Sequence, residues 1–247
     1  PHWACGVEYE PYLCGPAKTE GDRCPGPQPD KAAVEGVPLV EGTPFTVYAG
    51  FNCRLVGHTR DDVMDRARQA LALGEQRAVE DAYWTGSAGN LPRLADPSAV
   101  ILNPTGSTGG MHPVAGLAAL EAHLATNYGG TGIIHTPRAG VPVLAAYQQL
   151  TSDRAATRLT TVLGTPVAAG GGYPNIGPDG TPAPDGTLWL YATGTVRIYR
   201  SEVIVNPDTL EQAFATHTNT VHLLAERMYV ITHECVLAAV LITTAVT

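Results

Sequence analysis

Between Thr59 and Tyr83 the apolar and small positions fall at Val63, Ala67, Leu71, Gly74, Ala78 and Ala82, in steps of four with one step of three. That period predicts one long helix carrying a single narrow apolar stripe. The other faces carry Asp65, Arg66, Arg68, Gln69, Glu75, Arg77, Glu80 and Asp81. Thr59 followed by Asp62 has the spacing of a capping box, and Asp61 and Asp62 place negative charge at the positive end of the helix dipole. Asp62 with Arg66, and Arg77 with Asp81, are four apart and can pair across a turn. Gly86 is the predicted stop. At about 1.5 Å per residue such a helix is roughly 37 Å long. Gly74, inside the stripe, would let another backbone approach closely. An ordinary core-packing helix is one reading. The narrowness of the stripe favours a helix lying largely on the surface or against another chain.

The pattern elsewhere alternates between short strands, helices and loops. Residues 1–43 are rich in Pro, Gly and charge and read as an extended arm held by other surfaces. PFTVYAGFNCRLV, residues 44–56, predicts a strand or hairpin edge. Ala99 to Leu102 is a short apolar run between prolines, and Gly132 to Thr136 is a short buried strand. Pro113 to Asn127 predicts a second helix with Gly129 past its end. Val141 to Leu150 predicts a third helix. Arg158 to Leu163 and Pro166 to Ala168 are strand-like. Gly170 to Gly186 is a long loop, of the kind that is usually functional or mobile. TLWLYATGTVRIYRS gives two short strands around a Thr-Gly turn. ERMYVITHECVLAAVLITTAV alternates and then turns fully apolar, which predicts one long strand ending in a sheet interior. If the long helix packs on that strand, the two form an elongated platform with the middle region as a second lobe.

Composition narrows the function classes. The 247 residues suffice for one large domain or two small ones. The net charge of −8 argues against a dedicated DNA- or RNA-binding surface. With 27 Gly and 20 Pro the chain is turn-rich without being low-complexity. The opening PHWACGVEYEPYLCG has neither the basic start nor the apolar core of a secretory leader, and the absence of an initiator Met points to trimming or processing. The longest apolar run, from Cys235 to Thr247, is too short and too rich in threonine to span a bilayer. Three of the five cysteines, Cys5, Cys14 and Cys24, sit in the arm, without a CxxC pair. They read as free thiols or as a disulfide among Cys5, Cys14 and Cys24 that clamps the arm.

Candidate chemistry is sparse. The histidines at 112, 123, 135, 217, 222 and 233 form no HxxxH, HExxH or HxH pair, so no metal site is predicted. The glycines of YPNIGPDG and GGMHP match no nucleotide-binding pattern, so no cofactor is predicted. On a continuous strand His233 and Cys235 would share a face, which leaves a hydrolase with a Cys235 nucleophile and a His233 base as an alternative. Core packing of both residues is the stronger reading. Tyr83 and Trp84 could stack a ligand, but such a pair more often pins a helix end into a core.

The order of these segments resembles the major capsid protein of tailed bacteriophages, the α+β fold typified by phage Hong Kong 97 and shared with encapsulin shells. EDAYWTGSAGN looks like the end of that family's spine helix. GIIHTPRAGVPVLA is similar to the strand and helix of its axial domain, LTTVLGTPVAAGGGYPN to a strand before a glycine loop, and AERMYVITHECVLAAVLITT to its closing peripheral strand. The resemblance runs from about residue 30 to the end of the chain. It implies an N-terminal arm at 1–31, an extended loop at 32–57, a peripheral domain with spine helix at 58–111 and 205–247, and an axial domain at 112–204. It implies a structural subunit of an icosahedral capsid in the virion, not an enzyme. Such a subunit assembles into pentamers or hexamers, meets neighbouring subunits and decoration or minor capsid proteins, and touches packaged DNA only by weak non-specific contact, with no membrane. The expected subunit contacts are Phe45, Val47, Tyr48, Phe51, Tyr173, Pro174 and Asn175, and the expected spine anchors are Tyr83 and Trp84. With only Lys31 near the loop, a Lys–Asn isopeptide crosslink of the kind some relatives form is not expected. Within the same fold the alternative is an encapsulin-like cellular compartment.

Overall fold

The computed structural model describes residues 5–11, 14, 39–54, 57–105, 109–153 and 158–245. In chain order the elements are β1 (Val7–Tyr9), β2 (Val40–Gly42), β3 (Phe45–Arg54), α1 (Arg60–Thr85), β4 (Val100–Ile101), α2 (Pro113–Asn127), β5 (Ile133–Pro137) and α3 (Gly140–Ala146). There follow β6 (Leu150–Asp153), β7 (Arg158–Thr161), β8 (Val167–Gly170), β9 (Thr187–Thr193), β10 (Val196–Arg200) and β11 (Ile204–Asn206). The chain closes with α4 (Leu210–Ala213), β12 (Phe214–Ala215), β13 (Thr220–His233) and β14 (Leu237–Thr243).

Two five-stranded sheets organise the molecule. In the long sheet β13 is the axis. β3 pairs antiparallel along one side, from Thr220 opposite Arg54 to Tyr229 opposite Phe45, while β12, β11 and β10 pair in turn along the other. In the second sheet the order is β4-β14-β9-β5-β8. β1 and β2 form a separate antiparallel strap, and β6 and β7 form a second small ribbon.

Helix α1 covers the long sheet. Thr59 caps it with the reciprocal Asp62 contacts of a capping box, and Gly86 ends it in the left-handed conformation, its N–H bonded to the Ala82 carbonyl. Val63, Ala67 and Leu71 are buried against β3 and β13, but Gly74 and Ala78 of the predicted stripe face solvent. The buried line instead continues through Glu75 and Val79 to Tyr83, in unbroken steps of four. Rows of that step run obliquely to a helix axis, and an oblique row is what a helix needs to stay on a twisted sheet. The close approach expected at Gly74 is therefore absent, and a Cβ there would meet open space.

The second sheet is covered by α2, whose Leu117, Leu120 and Leu124 are buried with Ile134, Leu190, Val240 and Ile242. His112 caps α2, accepting from the Val114 N–H, and Pro113 opens the first turn. Gly116 lets the helix lie directly on β14, where a Cβ would collide with the Ile242 side chain.

Several predicted elements need correction. The C-terminal stretch is two strands, not one. Strand β13 stops at His233, Cys235 takes a φ of 57°, and β14 resumes in the other sheet. The break holds Glu234, which is 1% exposed and paired with Arg197 at 2.9 Å. The strands around Thr193-Gly194 likewise part company, β9 to the second sheet and β10 to the long one. A boundary at residue 204 therefore cuts across the strand pairing, since β10 belongs with the long sheet and β14 with the second. Helix α3 ends at Ala146, short of Leu150, because Gln148 turns left-handed (φ 56°) and Leu150–Asp153 pairs as a strand with Arg158–Thr161. The apolar run at Ala99 shrinks to the two residues of β4, parallel to β14. Among the described residues no helix is long and apolar enough to cross a membrane.

Candidate functional site: contact surfaces and a buried polar centre

Strand β3 decides the fate of four expected contact residues. Its odd positions face α1 and its even positions face out, as a pleated strand demands. Phe45 and Val47 are therefore core residues, and Phe45 stacks on Tyr229 at 5.7 Å between centroids. Their burial closes them to subunit contact, which corrects the expectation. Phe51 is half-buried against the same core. Tyr48 points outward at 68% exposure and stays open to a partner.

The loop from Gly170 to Gly186 holds the other three. It is tied down rather than loose. The Trp84 indole N–H and the Tyr191 hydroxyl both donate to the Ile176 carbonyl at 2.9 Å. Asn175 donates to the Thr187 carbonyl at 3.1 Å and accepts from the Trp189 N–H at 2.8 Å, so its side chain braces the loop from within. The Gly172 N–H donates to Glu80 Oε2 at 2.7 Å, and a Cβ on Gly172 would overlap the Arg77 carbonyl of α1. The tight backbone crossing on α1 is thus made here rather than at Gly74. Tyr173 turns its ring onto Trp84 at 4.8 Å, leaving Pro174 as the exposed residue of the three.

Tyr83 and Trp84 lie at the far end of α1, both buried. Trp84 meets Tyr191 edge-on at 4.9 Å. The Tyr83 hydroxyl lies 3.2 Å from His233 Nδ1, and its ring meets His135 edge-on at 5.8 Å. His135, itself only 2% exposed, contacts the Thr193 hydroxyl through Nε2 at 2.9 Å and the Tyr173 hydroxyl through Nδ1 at 3.3 Å. These residues come from α1, β5, β9, β13 and the loop, so a polar centre sits where the two sheets meet. Burial, and secondarily His233, lowers the His135 pKa to about 3. Burial lowers His233 to about 4, opposed by Asp96. Burial also drives the Tyr83 and Tyr173 phenols upward, with Tyr173 adding to the effect on Tyr83 and Glu80 to that on Tyr173. At neutral pH the centre is an uncharged hydrogen-bonded cluster rather than an acid–base pair. No pattern of spacing in the sequence points to it, because its members lie up to 150 residues apart.

The sequence also misses a polar clamp halfway along α1. Glu75 accepts from Arg227 Nη1 at 3.0 and 3.2 Å and from the Tyr229 hydroxyl at 2.7 Å, fastening the helix to β13.

The cysteine expectations change. Cys14 is bonded to Cys235, not to Cys5 or Cys24. Cys5 and Cys53 are free thiols, and Cys24 lies outside the described residues. In this structure the Cys235 sulfur is held in a disulfide and its backbone has left the strand, so it does not share a strand face with His233 as the hydrolase alternative expects. Among the described residues no group of three or more His, Cys, Asp or Glu is placed to hold a metal ion.

No family model matches the chain, and no curated protein sequence matches it. Solved structures do. The capsid of a native GTA particle aligns over 98% of this chain and 84% of its own, with a TM-score of 0.54 and 12% identity. A chain from Gordonia phage Cozz aligns over 98% and 82%, with a TM-score of 0.52 and 12% identity. A chain from Mycobacterium phage Adephagia aligns over 98% and 85%, with a TM-score of 0.52 and 14% identity. The two sheets, the long helix laid across one of them and the second helix-covered sheet thus together make up the Hong Kong 97-like fold of phage capsid subunits.

Proposed function

We propose that this chain is a structural subunit of an icosahedral viral capsid, assembling into pentamers, hexamers or both around double-stranded DNA, and that it resides in the virion. The observation that carries the reading is the alignment of nearly the whole chain, 98%, with the capsid of the GTA particle. A shell wall needs broad interfaces whose individually weak contacts add up. The net charge of −8 agrees with a protein that encloses DNA without adhering strongly to it.

The subunit's parts follow the capsid plan. The expected arm at 1–31 and extended loop at 32–57 lie largely outside the described residues up to residue 38, and β3 at the far end of the loop segment joins the long sheet. The peripheral domain takes α1 and the long sheet, including β10. The axial domain takes α2, α3 and the second sheet, including β14. The core that joins α2 and α3 to the second sheet supports that division, while the other core joins α1 and the long sheet to Tyr191 and Ala239 of the second sheet. Tyr48 and Pro174 are the contact residues retained from the sequence. Neighbouring subunits are the principal partners, with decoration or minor capsid proteins on the outer face.

The test is negative-stain microscopy and size-exclusion chromatography of the purified chain across a salt series. Closed particles with fivefold or sixfold capsomers are expected. A monomer or dimer that forms no particle under any condition overturns the proposal. Particles from the native source that enclose protein cargo instead of nuclease-protected DNA would reassign the shell to a cellular compartment.

A further inference from the structure

Among the described residues, the segment carrying β1 and Cys14 is fastened at the break between β13 and β14. Strand β1 pairs with β2, from Val7 opposite Gly42 to Tyr9 opposite Val40. The strap so formed lies on the end of β13, where a Cβ on Gly42 would come within 2.7 Å of Thr232 and 2.9 Å of Val230. Tyr9 is buried, and its hydroxyl donates to the His233 carbonyl at 3.1 Å. Beyond it Cys14 is bonded to Cys235, with a Cα–Cα distance of 6.0 Å and 221 residues between them in sequence. Cys235 is the left-handed residue of the break. Both cysteines are exposed and border an open cleft of about 660 Å³ that Tyr9, Pro11 and His123 also line. A small thiol or disulfide can reach the bond there. Exposed disulfides are the labile ones, exchanged by thiolate attack when the surrounding redox poise changes.

We propose that Cys14–Cys235 is a redox latch, open when the chain folds under reducing conditions and closed on oxidation, which locks the β1–β2 strap over the crossover between the two sheets. Closure uses a low-molecular-weight disulfide such as oxidised glutathione. One cysteine thiolate attacks a sulfur of that disulfide, releasing one small thiolate and leaving a mixed disulfide on the protein. The second cysteine thiolate then attacks the protein sulfur of the mixed disulfide and releases the second small thiolate. Two protein thiols are oxidised and one glutathione disulfide is reduced to two glutathione molecules, with the two protein protons passing to buffer or to the released thiolates. Excess glutathione reverses both steps. Without the bond the strap keeps, among the described residues, its three backbone pairs, the packing of Gly42 on Val230 and Thr232 and the Tyr9 hydrogen bond, all at its own end of β13, so it opens locally without unfolding either core.

The latch belongs to the single chain, so its test stands apart from shell formation. The full chain is equilibrated over a series of reduced to oxidised glutathione ratios. Cysteine pairing is read by peptide mass spectrometry, and opening by hydrogen–deuterium exchange of peptides covering Val7–Tyr9 and Val40–Gly42. A Cys14–Cys235 linked peptide is expected at oxidising ratios. Reduction should then speed exchange in those peptides about tenfold or more while α2 and β14 stay protected. Cys235→Ser disturbs a left-handed position and can misfold, so Cys14→Ser removes the same bond from the arm side. It should match the reduced wild type at every ratio, while Cys5→Ser should behave as wild type. No linked peptide at any ratio, or strap exchange that reduction and Cys14→Ser leave unchanged, overturns the latch. A chain that shows the response but never forms particles retains the latch and loses only the capsid reading.

Discussion

Acid should loosen this fold through His135 before its carboxylates titrate. His135 has its pKa lowered to about 3 from a free value of 6.5, because a charged imidazole would be buried beside Thr193, Tyr173 and His233. The folded state thus binds this proton more weakly than the unfolded state does. Stability is complete above the unfolded pKa and falls as pH descends through 6.5 towards the folded value. At pH 5 the unfolded histidine is almost fully protonated and the folded one is neutral. The gap of one and a half pH units between 5 and 6.5 is then worth about 2 kcal/mol. His233, lowered to about 4, is also mostly neutral in the folded state at pH 5 and pushes in the same direction by a similar amount. The carboxyls of Asp62, Asp96 and Asp179 are held below their usual range by hydrogen bonds from Thr59, Ser98 and Thr181, so they act at still lower pH. The assay is urea unfolding by tryptophan fluorescence at pH 7.5 and pH 5, at fixed protein concentration because oligomers shift apparent stability. His135→Gln keeps a polar group for Thr193 but cannot charge. It should reduce the loss of stability between the two pH values by about 2 kcal/mol. An equal loss in wild type and variant would refute the buried-histidine argument.

Three further substitutions probe the contacts that fix α1. Trp84→Ala empties a fully buried site and strips a donor from Ile176, so unfolding stability should fall by about 3–5 kcal/mol, read from the urea midpoint. Gly172→Ala forces a Cβ into the Arg77 carbonyl, so the loop from Gly170 to Gly186 must lift at a cost of about 1–3 kcal/mol, and its amides should exchange faster while those of α2 do not. Glu75→Gln takes the charge from a half-buried partner of Arg227 and should cost about 1–3 kcal/mol. A double-mutant cycle with Arg227→Met should then show coupling, and additive losses would mean the pair is incidental.

What could be read from the sequence was local. The capping box at Thr59 and Asp62, the stop at Gly86 and the full extent of α2 depend on near neighbours, and each was legible. The inward face of β3 was hidden because alternation alone does not say which set of positions meets a helix, so Phe45 and Val47 looked like surface residues. The course of the contact line on α1 depended on the twist of a sheet in which β3 pairs with strands more than a hundred positions later. The break at Glu234 looked like continuous strand because every residue around it is compatible with extended structure. At that break Glu234 is paired with Arg197 of β10, a partner that only the fold brings near. The disulfide was similarly out of reach, since Cys235 pairs with an arm cysteine that only the fold brings near.

Apart from the Glu75 clamp on α1, the polar groups that sequence reading missed gather in one region. The chain crosses between the two sheets at Gly194–Thr195 and again at Glu234–Val236, and these two crossings bond to each other. The Gly194 N–H donates to the Glu234 carbonyl at 3.2 Å, and the Glu234 N–H donates to the Thr195 carbonyl at 3.1 Å. Tyr128, at the end of α2, lies 2.8 Å from the Thr195 hydroxyl, and Tyr83, near the end of α1, reaches His233 beside the second crossing. A buried ion pair such as Glu234–Arg197 adds little net stability over a well-packed apolar pair, yet breaking it by removing one partner is expensive. Its value at this place is therefore directional. Apolar contact is not directional, so the cores resist a rotation of one sheet against the other only through packing, where Tyr191 and Ala239 of the second sheet meet the long-sheet core. The junction's hydrogen bonds and its buried charge pair would not survive such a rotation. On the proposed function, a chain that tiles a closed surface needs that angle fixed more tightly than it needs extra stability. Polar contacts concentrated at the crossover, with apolar contacts in the two lobes, satisfy that requirement.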